Sequence, residues 1–101
     1  MRLDNRTILI TGGASGLGGA TVEMIVGAGG RAVILDVNEQ AGRAVADRLG
    51  DRVRFVQTDV TSDNDMERAV EAAVQAFGAV HGLVCAAGIG VRIRGRNSRR
   101  D

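Results

Sequence analysis

Short apolar runs and longer amphipathic stretches alternate along this chain. Thr7-Ile8-Leu9-Ile10 is a brief β-branched run with the character of a buried strand. A glycine-rich turn follows, Thr11 to Gly18. Residues from about Gly18 to Ala28 read as a helix, with Leu17, Thr21, Met24, Ile25 and Ala28 expected on one broad face and Gly29-Gly30 as its stop. Ala32-Val33-Ile34-Leu35 is a second buried strand, ending at Asp36. Asn38 is placed to cap a second helix with Ala41, Val45 and Leu49 at fourfold spacing, and Gly50 stops it. Val53 to Gln57 is a third strand. Ser62 and Asp65 have capping-box spacing ahead of a third helix that carries Met66, Ala69, Val70, Ala73 and Phe77 on one face and ends at Gly78. Leu83-Val84-Cys85-Ala86 is a fourth strand.

Apolar strands interleaved with amphipathic helices predict an α/β fold: a parallel sheet covered on both faces. Right-handed crossovers make it a Rossmann-type doubly wound sheet of strand order 3-2-1-4, truncated after the fourth strand. The order reverses between strands one and four, where such folds open the crevice that takes a nucleotide. Residues 1–90 are expected to form this half-domain. After Gly90 the character changes: residues 91–101 hold five of the thirteen arginines and sustain no helix or strand period. That stretch is expected to be a disordered tail or out-of-frame translation of GC-rich DNA.

Composition adds three facts. The 101 residues are 45% apolar and 25% charged with a net charge of +1, which fits one globular unit and points to no charged partner. There is no Tyr, Trp or Pro, and every one of the 13 basic residues is Arg, so the chain has no Lys. One cysteine, Cys85, excludes an internal disulfide and fits a reducing compartment. The N-terminus is too polar for a signal peptide, and the apolar runs fall far short of the roughly 20 residues that span a bilayer. The expectation is a cytoplasmic protein without a membrane partner. The arginine-rich stretch lacks the interleaved aromatics of a nucleic-acid site, so no nucleic-acid partner is expected.

Four motifs carry candidate chemistry. The first is Thr11-Gly12-Gly13-Ala14-Ser15-Gly16-Leu17-Gly18, between strand one and helix one. Its spacing is G-x-x-x-G-x-G, not the G-x-G-x-x-G of the general fingerprint. Gly12 lets the chain turn. Gly16 and Gly18 remove side chains where backbone approaches a pyrophosphate and where helix meets sheet. The free N–H groups of the helix start then face the anion. The second is Asp36, placed to accept from ribose hydroxyls and to repel a 2′-phosphate. Val37 beside it and Ser15 in the loop supply no cation for such a phosphate. The third is Asp59-Val60, whose carboxylate and backbone N–H could meet an adenine edge; Asp59 serves equally as a cap for the third helix. The fourth is Cys85-Ala86-Ala87-Gly88, small residues that let backbone lie against a ribose or pack tightly in the core. His81 reads as a surface or turn residue, and Cys85, with no His or Asp partner nearby, as packing.

With these residues in place, residues 3 to 90 resemble the short-chain dehydrogenase/reductase family. Its signatures are T-G-x-x-x-G-x-G, an acidic residue ending strand two in NAD-using members, D-V after strand three, and N-N-A-G after strand four. The first three match; in the fourth, Cys85 and Ala86 stand where the family has two Asn, which removes an amide that ties neighbouring strands together. Within the family, the stretches Ile10 to Gly18, Asp59 to Ser62 and Ala87 to Ile89 look most like type-2 3-hydroxyacyl-CoA dehydrogenases. The resemblance implies NAD as cofactor. Its pyrophosphate would lie around Gly12, Ser15, Gly16, Leu17 and Gly18, its ribose at Asp36 and Val37, its adenine at Asp59 and Val60, with further contacts at Ala86, Ala87 and Gly88. It also implies a full-length homo-oligomer that moves hydride to or from a secondary alcohol, ketone or acyl-CoA substrate through a Ser and a Tyr-x-x-x-Lys pair. This chain has neither Tyr nor Lys, so it holds no catalytic residue of that kind. Three readings follow: the nucleotide-binding part of an oxidoreductase, a free-standing nucleotide-binding module, or an inactive truncated or frameshifted product.

Overall fold

The computed structural model describes residues 2–86. The expected alternation is present: β1 (Thr7–Thr11), α1 (Gly16–Gly27), β2 (Arg31–Asp36), α2 (Glu39–Leu49), a 3-10 turn (Gly50–Arg52), β3 (Val53–Gln57), α3 (Asp63–Phe77) and β4 (Gly82–Cys85). All three strand pairings are parallel, and the sheet order is β3-β2-β1-β4. Ile10 lies opposite Ile34 on one side and Val84 on the other, so β1 is central and β4 and β3 are the edges among the described residues. The proposed tail, residues 91–101, lies outside the described residues.

Period-two alternation divides the sheet between two cores. Ile10, Ala32 and Ile34 turn to the face covered by Val22 and Ile25 of α1 and by Val45, Ala46 and Leu49 of α2. Leu9, Val33 and Leu35 turn to the opposite face, where Ala69 and Ala73 of α3 lie against them, with Met66 and Phe77 at the margin. Ile10, Ile34, Leu35, Val22 and Val33 are fully buried. Each contributes about 1.5–3 kcal/mol of apolar burial. Gly42 brings α2 onto the sheet: a Cβ there would overlap the ring of Phe55 on β3.

Both predicted N-caps form. Asn38 Oδ1 accepts from the Ala41 N–H at 3.0 Å and Ser62 Oγ from the Asp65 N–H at 3.2 Å. His81 sits on the surface as expected, and it ties two strands together. Its Nδ1 accepts from the Thr7 N–H at 2.9 Å, while the His81 backbone N–H donates to the Thr7 carbonyl at 2.8 Å.

The inward face of α1 differs from the expected one. The buried residues are Gly18, Gly19, Val22 and Ile25, whereas Leu17 and Met24 are each 68% exposed. A hydrophobic pattern weighs side chains. Here the helix approaches through a face of glycines, and the larger apolar residues are turned outward. Val70, expected inside α3, stands at its flank and is also exposed. The helix begins at Gly16, two residues earlier than the pattern indicates.

Candidate nucleotide site

The glycine-rich loop lies at the C-terminal edge of the sheet, between β1 and α1. Gly12 takes φ +70°, a conformation that side chains disfavour, and its N–H donates to the Leu35 carbonyl at 2.8 Å. The chain thereby turns off β1 while staying pinned to β2. Gly13 lies under the sheet's own side chains: a Cβ there would stand 2.8 Å from Ile34 Cγ2.

Ser15 caps α1. Its hydroxyl donates to the Gly12 carbonyl at 2.8 Å and accepts from the Gly18 N–H at 3.0 Å, and its carbonyl accepts from the Gly19 N–H at 2.7 Å. Four N–H groups at a helix start lack helical acceptors. Of these, the Ser15 N–H donates to the Gly12 carbonyl at 3.0 Å and the Gly18 N–H to the Ser15 hydroxyl. The N–H groups of Gly16 and Leu17 have no acceptor among the described residues, and no acidic side chain stands in the first turn of α1 to occupy the positive end of the helix. The Ser15 hydroxyl proton is already committed to Gly12, so the donors left for an anion are backbone ones.

The three motif glycines do different work. A Cβ on Gly18 would overlap the Gly12 carbonyl oxygen and stand 2.7 Å from Gly13 Cα, so Gly18 is required by the contact of helix with loop. The motif spacing predicts this contact against the sheet; the structure puts it against the Gly12–Gly13 backbone instead. A Cβ on Gly16 would meet nothing within 4 Å. Nothing in the protein itself demands glycine at 16; the open space beside two free N–H groups is a cradle that fits a phosphate.

Asp36 ends β2 half-buried. One carboxylate oxygen accepts from the Ala14 N–H at 3.2 Å, and the other accepts from the Asn38 N–H at 3.0 Å. The carboxylate therefore stands against the glycine-rich loop, as ribose recognition beside a bound pyrophosphate requires. Val37, next along the chain, is 63% exposed, and Val60, after β3, is 47% exposed. Both are apolar surfaces suited to the faces of a flat base. Gln57 Nε2 donates to the Val37 carbonyl at 3.1 Å and steadies that turn.

Asp59 is bound into its own turn. Its Oδ1 accepts from the Thr61 hydroxyl at 2.6 Å and from the Thr61 N–H at 2.9 Å. These bonds, the hydroxyl first, hold its carboxyl below the usual carboxylate range. The Asp59 N–H donates to Asp65 Oδ2 at 2.9 Å, which with the Arg68 guanidinium holds the Asp65 carboxyl low as well. The reciprocal half of the expected capping box is thus absent: the Asp65 carboxylate passes over Ser62 and takes the Asp59 N–H. That N–H is unavailable to a base. The second Asp59 oxygen and the Val60 N–H remain. Ala86 is buried at the end of β4, its N–H donating to the Thr11 carbonyl at 3.0 Å, and Cys85 is half-buried. Ala87 and Gly88 lie outside the described residues. Sequence reasoning missed Gly13, Ala14 and the Asn38 N–H; a glycine next to Gly12 hinted at the first, and nothing in the spacing marks the other two.

Known proteins resemble this chain in sequence and fold. The short chain dehydrogenase family profile matches residues 6–100, ten residues past the point where the motif resemblance ends. The bovine (Bos taurus) 3-hydroxyacyl-CoA dehydrogenase type-2 is 45% identical over 93 residues, covering 92% of this chain and 36% of the relative. A 3-alpha-(or 20-beta)-hydroxysteroid dehydrogenase of Mycobacterium tuberculosis (strain CDC 1551 / Oshkosh) is 42% identical over 88 residues, 87% of this chain and 34% of that one. Among solved structures, a 3-ketoacyl-(acyl-carrier-protein) reductase from Brucella melitensis complexed with NADH superposes with TM-score 0.74 at 36% identity, covering 80% of this chain and 34% of that one. A glucose/ribitol dehydrogenase of the short-chain dehydrogenase/reductase type, from the same organism, superposes with TM-score 0.76 at 31% identity over 82% of this chain and 37% of that one. The chain spans about a third of the length of these relatives. A parallel sheet of this order, a glycine-rich loop with free helix-start donors and matches of this extent make the chain a member of the short-chain dehydrogenase family.

Proposed function

We propose that this chain is the NAD-binding part of an oxidoreductase that moves hydride between NAD and a secondary alcohol or ketone, with 3-hydroxyacyl-CoA as the candidate substrate. The carrying observation is the open space at Gly16 beside the unpaired N–H groups of Gly16 and Leu17, with Asp36 bonded to the same loop. The bound nicotinamide would supply hydride transfer. This chain's residues do the holding. The Gly16 and Leu17 N–H groups bind pyrophosphate oxygens, and Asp36 accepts from the ribose hydroxyls. Val37 and Val60 flank the base, and Ala86 leaves room beside the ribose. The 45% identity to a 3-hydroxyacyl-CoA dehydrogenase supports the substrate class. A cytoplasmic, homo-oligomeric full-length enzyme belongs to the same reading.

Asp36 sets the cofactor. A carboxylate at the ribose accepts from a 2′-hydroxyl and repels a 2′-phosphate, so NAD is favoured over NADP. Calorimetric titration of both cofactors tests this. NAD should bind tighter, and Asp36→Ala should narrow the gap. Tighter binding of NADP to the unaltered chain would refute the assignment. Proton transfer to the substrate oxygen needs a phenol and an ammonium in this family, and the chain has neither Tyr nor Lys. Alone it is therefore expected to show no turnover at the NADH absorbance band, and reproducible turnover abolished by Gly16→Val would overturn that.

A further inference from the structure

The nucleotide loop is held at three points, and only one is a side chain from outside the loop. Gly12 is fixed by its N–H to the Leu35 carbonyl, and Ser15 is fixed to Gly12 by its N–H and its hydroxyl. Between them, the Ala14 N–H is held by Asp36, 22 residues away in sequence. Ala14 stands two residues before Gly16, whose N–H is one of the two free donors. The other Asp36 oxygen accepts from the Asn38 N–H, so the carboxylate bridges the β1–α1 and β2–α2 turns. A carboxylate oxygen has two lone pairs, and each here has one donor, so each keeps one for a ribose hydroxyl.

We propose that Asp36 is a positioning residue for the phosphate loop in addition to its ribose contact. By holding Ala14 it fixes the Gly16 and Leu17 donors before any nucleotide arrives, so ribose and pyrophosphate recognition share one carboxylate. This rests on the nucleotide reading above and deepens it. A substitution at Asp36 aimed at changing cofactor preference would then weaken the grip on the phosphates as well.

A nucleotide without the ribose diol separates the two roles. ADP and 2′,3′-dideoxy-ADP are titrated against the unaltered chain, Asp36→Ala and Asp36→Asn, and amide exchange is followed by NMR without ligand. If Asp36 positions the loop, Asp36→Ala weakens dideoxy-ADP about tenfold, the loss expected for one bond to a charged group. The Ala14 and Gly16 amides then exchange faster in the free protein. Asp36→Asn, which keeps one acceptor oxygen, recovers part of both effects. If Asp36 serves the ribose alone, Asp36→Ala binds dideoxy-ADP like the unaltered chain and Ala14 exchange is unchanged; that result overturns the proposal. Should the unaltered chain bind neither nucleotide, the nucleotide reading fails on its own, and Ala14 exchange still decides whether Asp36 holds the loop.

Discussion

Gly16 and Gly18 are two residues apart in one motif, yet the structure assigns them opposite sensitivities. At Gly18, an added Cβ would overlap the Gly12 carbonyl oxygen, and a backbone atom cannot rotate away. Either the loop or the start of α1 must shift. Overpacking of this kind costs about 3 kcal/mol at the upper end of its usual range. A domain of this length has roughly 5–15 kcal/mol of stability in all. At about 4–8 °C per kcal/mol, Gly18→Ala should lower Tm by about 12 °C or more. At Gly16, the Cβ meets nothing within 4 Å, and replacing a helical glycine by alanine stabilises by at most about 1 kcal/mol. Gly16→Ala should therefore melt at or slightly above the parent temperature. Its cost appears only with ligand, because the methyl enters the space through which a phosphate reaches the Gly16 and Leu17 N–H groups. Losing two charge-assisted bonds of about 1.5 kcal/mol each weakens NAD roughly hundredfold. Thermal melting by circular dichroism and titration of NAD give both numbers for both variants. If Gly16→Ala binds NAD like the parent, or Gly18→Ala melts like it, this division of labour is wrong.

Other perturbations read other parts of the fold. The Asp59 and Asp65 carboxyls are both held below their ordinary value of 3.8, so their contribution to stability is present above that value and is lost as pH falls through the lower folded values. Melting temperature should drop more steeply below about pH 4 in the parent than in Asp65→Asn, and parallel profiles would refute this. Replacing His81 by Leu leaves the Thr7 N–H without its acceptor and should cost about 1–3 kcal/mol, while Asn, which offers an oxygen, should retain part of it; equal melting temperatures for Leu and Asn would remove the clamp from the account. The β4 edge has no partner among the described residues, and Leu83 on it is 53% exposed. Leu83→Arg should raise the concentration at which the chain stays monomeric in sedimentation, and no change would show that this edge does not drive association.

Much of the fold was legible because its signals are local. Three apolar runs of four residues, at 7–10, 32–35 and 83–86, are too short for helices and each has a glycine within two residues, and Asn38 and Ser62 bond where their spacing places them. What was not legible was set by approach in space. The inward face of α1 is marked by missing side chains at Gly18 and Gly19, so a pattern that counts apolar groups turns the helix toward Leu17 and Met24. Asp65 had the spacing to reach back to Ser62, but the fold offers its carboxylate the Asp59 N–H instead. The bond from Ala14 to Asp36 crosses 22 residues and depends on β1 and β2 lying side by side, in register from Thr7 with Arg31 to Thr11 with Leu35.

The same register lets the proposed cofactor contacts lie close together in sequence. Parallel strands end on the same edge, so the turns after β1, β2 and β3 deliver Gly16, Asp36 and Val60 to one side of the sheet within 45 residues. Each needs only a backbone donor, a carboxylate or an apolar face, and each is fixed by the strand it follows. Proton transfer asks for more: a phenol whose pKa is drawn from about 10 toward neutrality by an adjacent cation, both aimed at the reacting oxygen. Between Gly12 and Val60 there is neither Tyr nor Lys, and the two carboxylates at this edge of the sheet, Asp36 and Asp59, are bonded to backbone N–H groups that hold the turns in shape. Binding is therefore the property these residues can be tested for directly, and it stands or falls on the Gly16 and Leu17 donors and the carboxylate of Asp36.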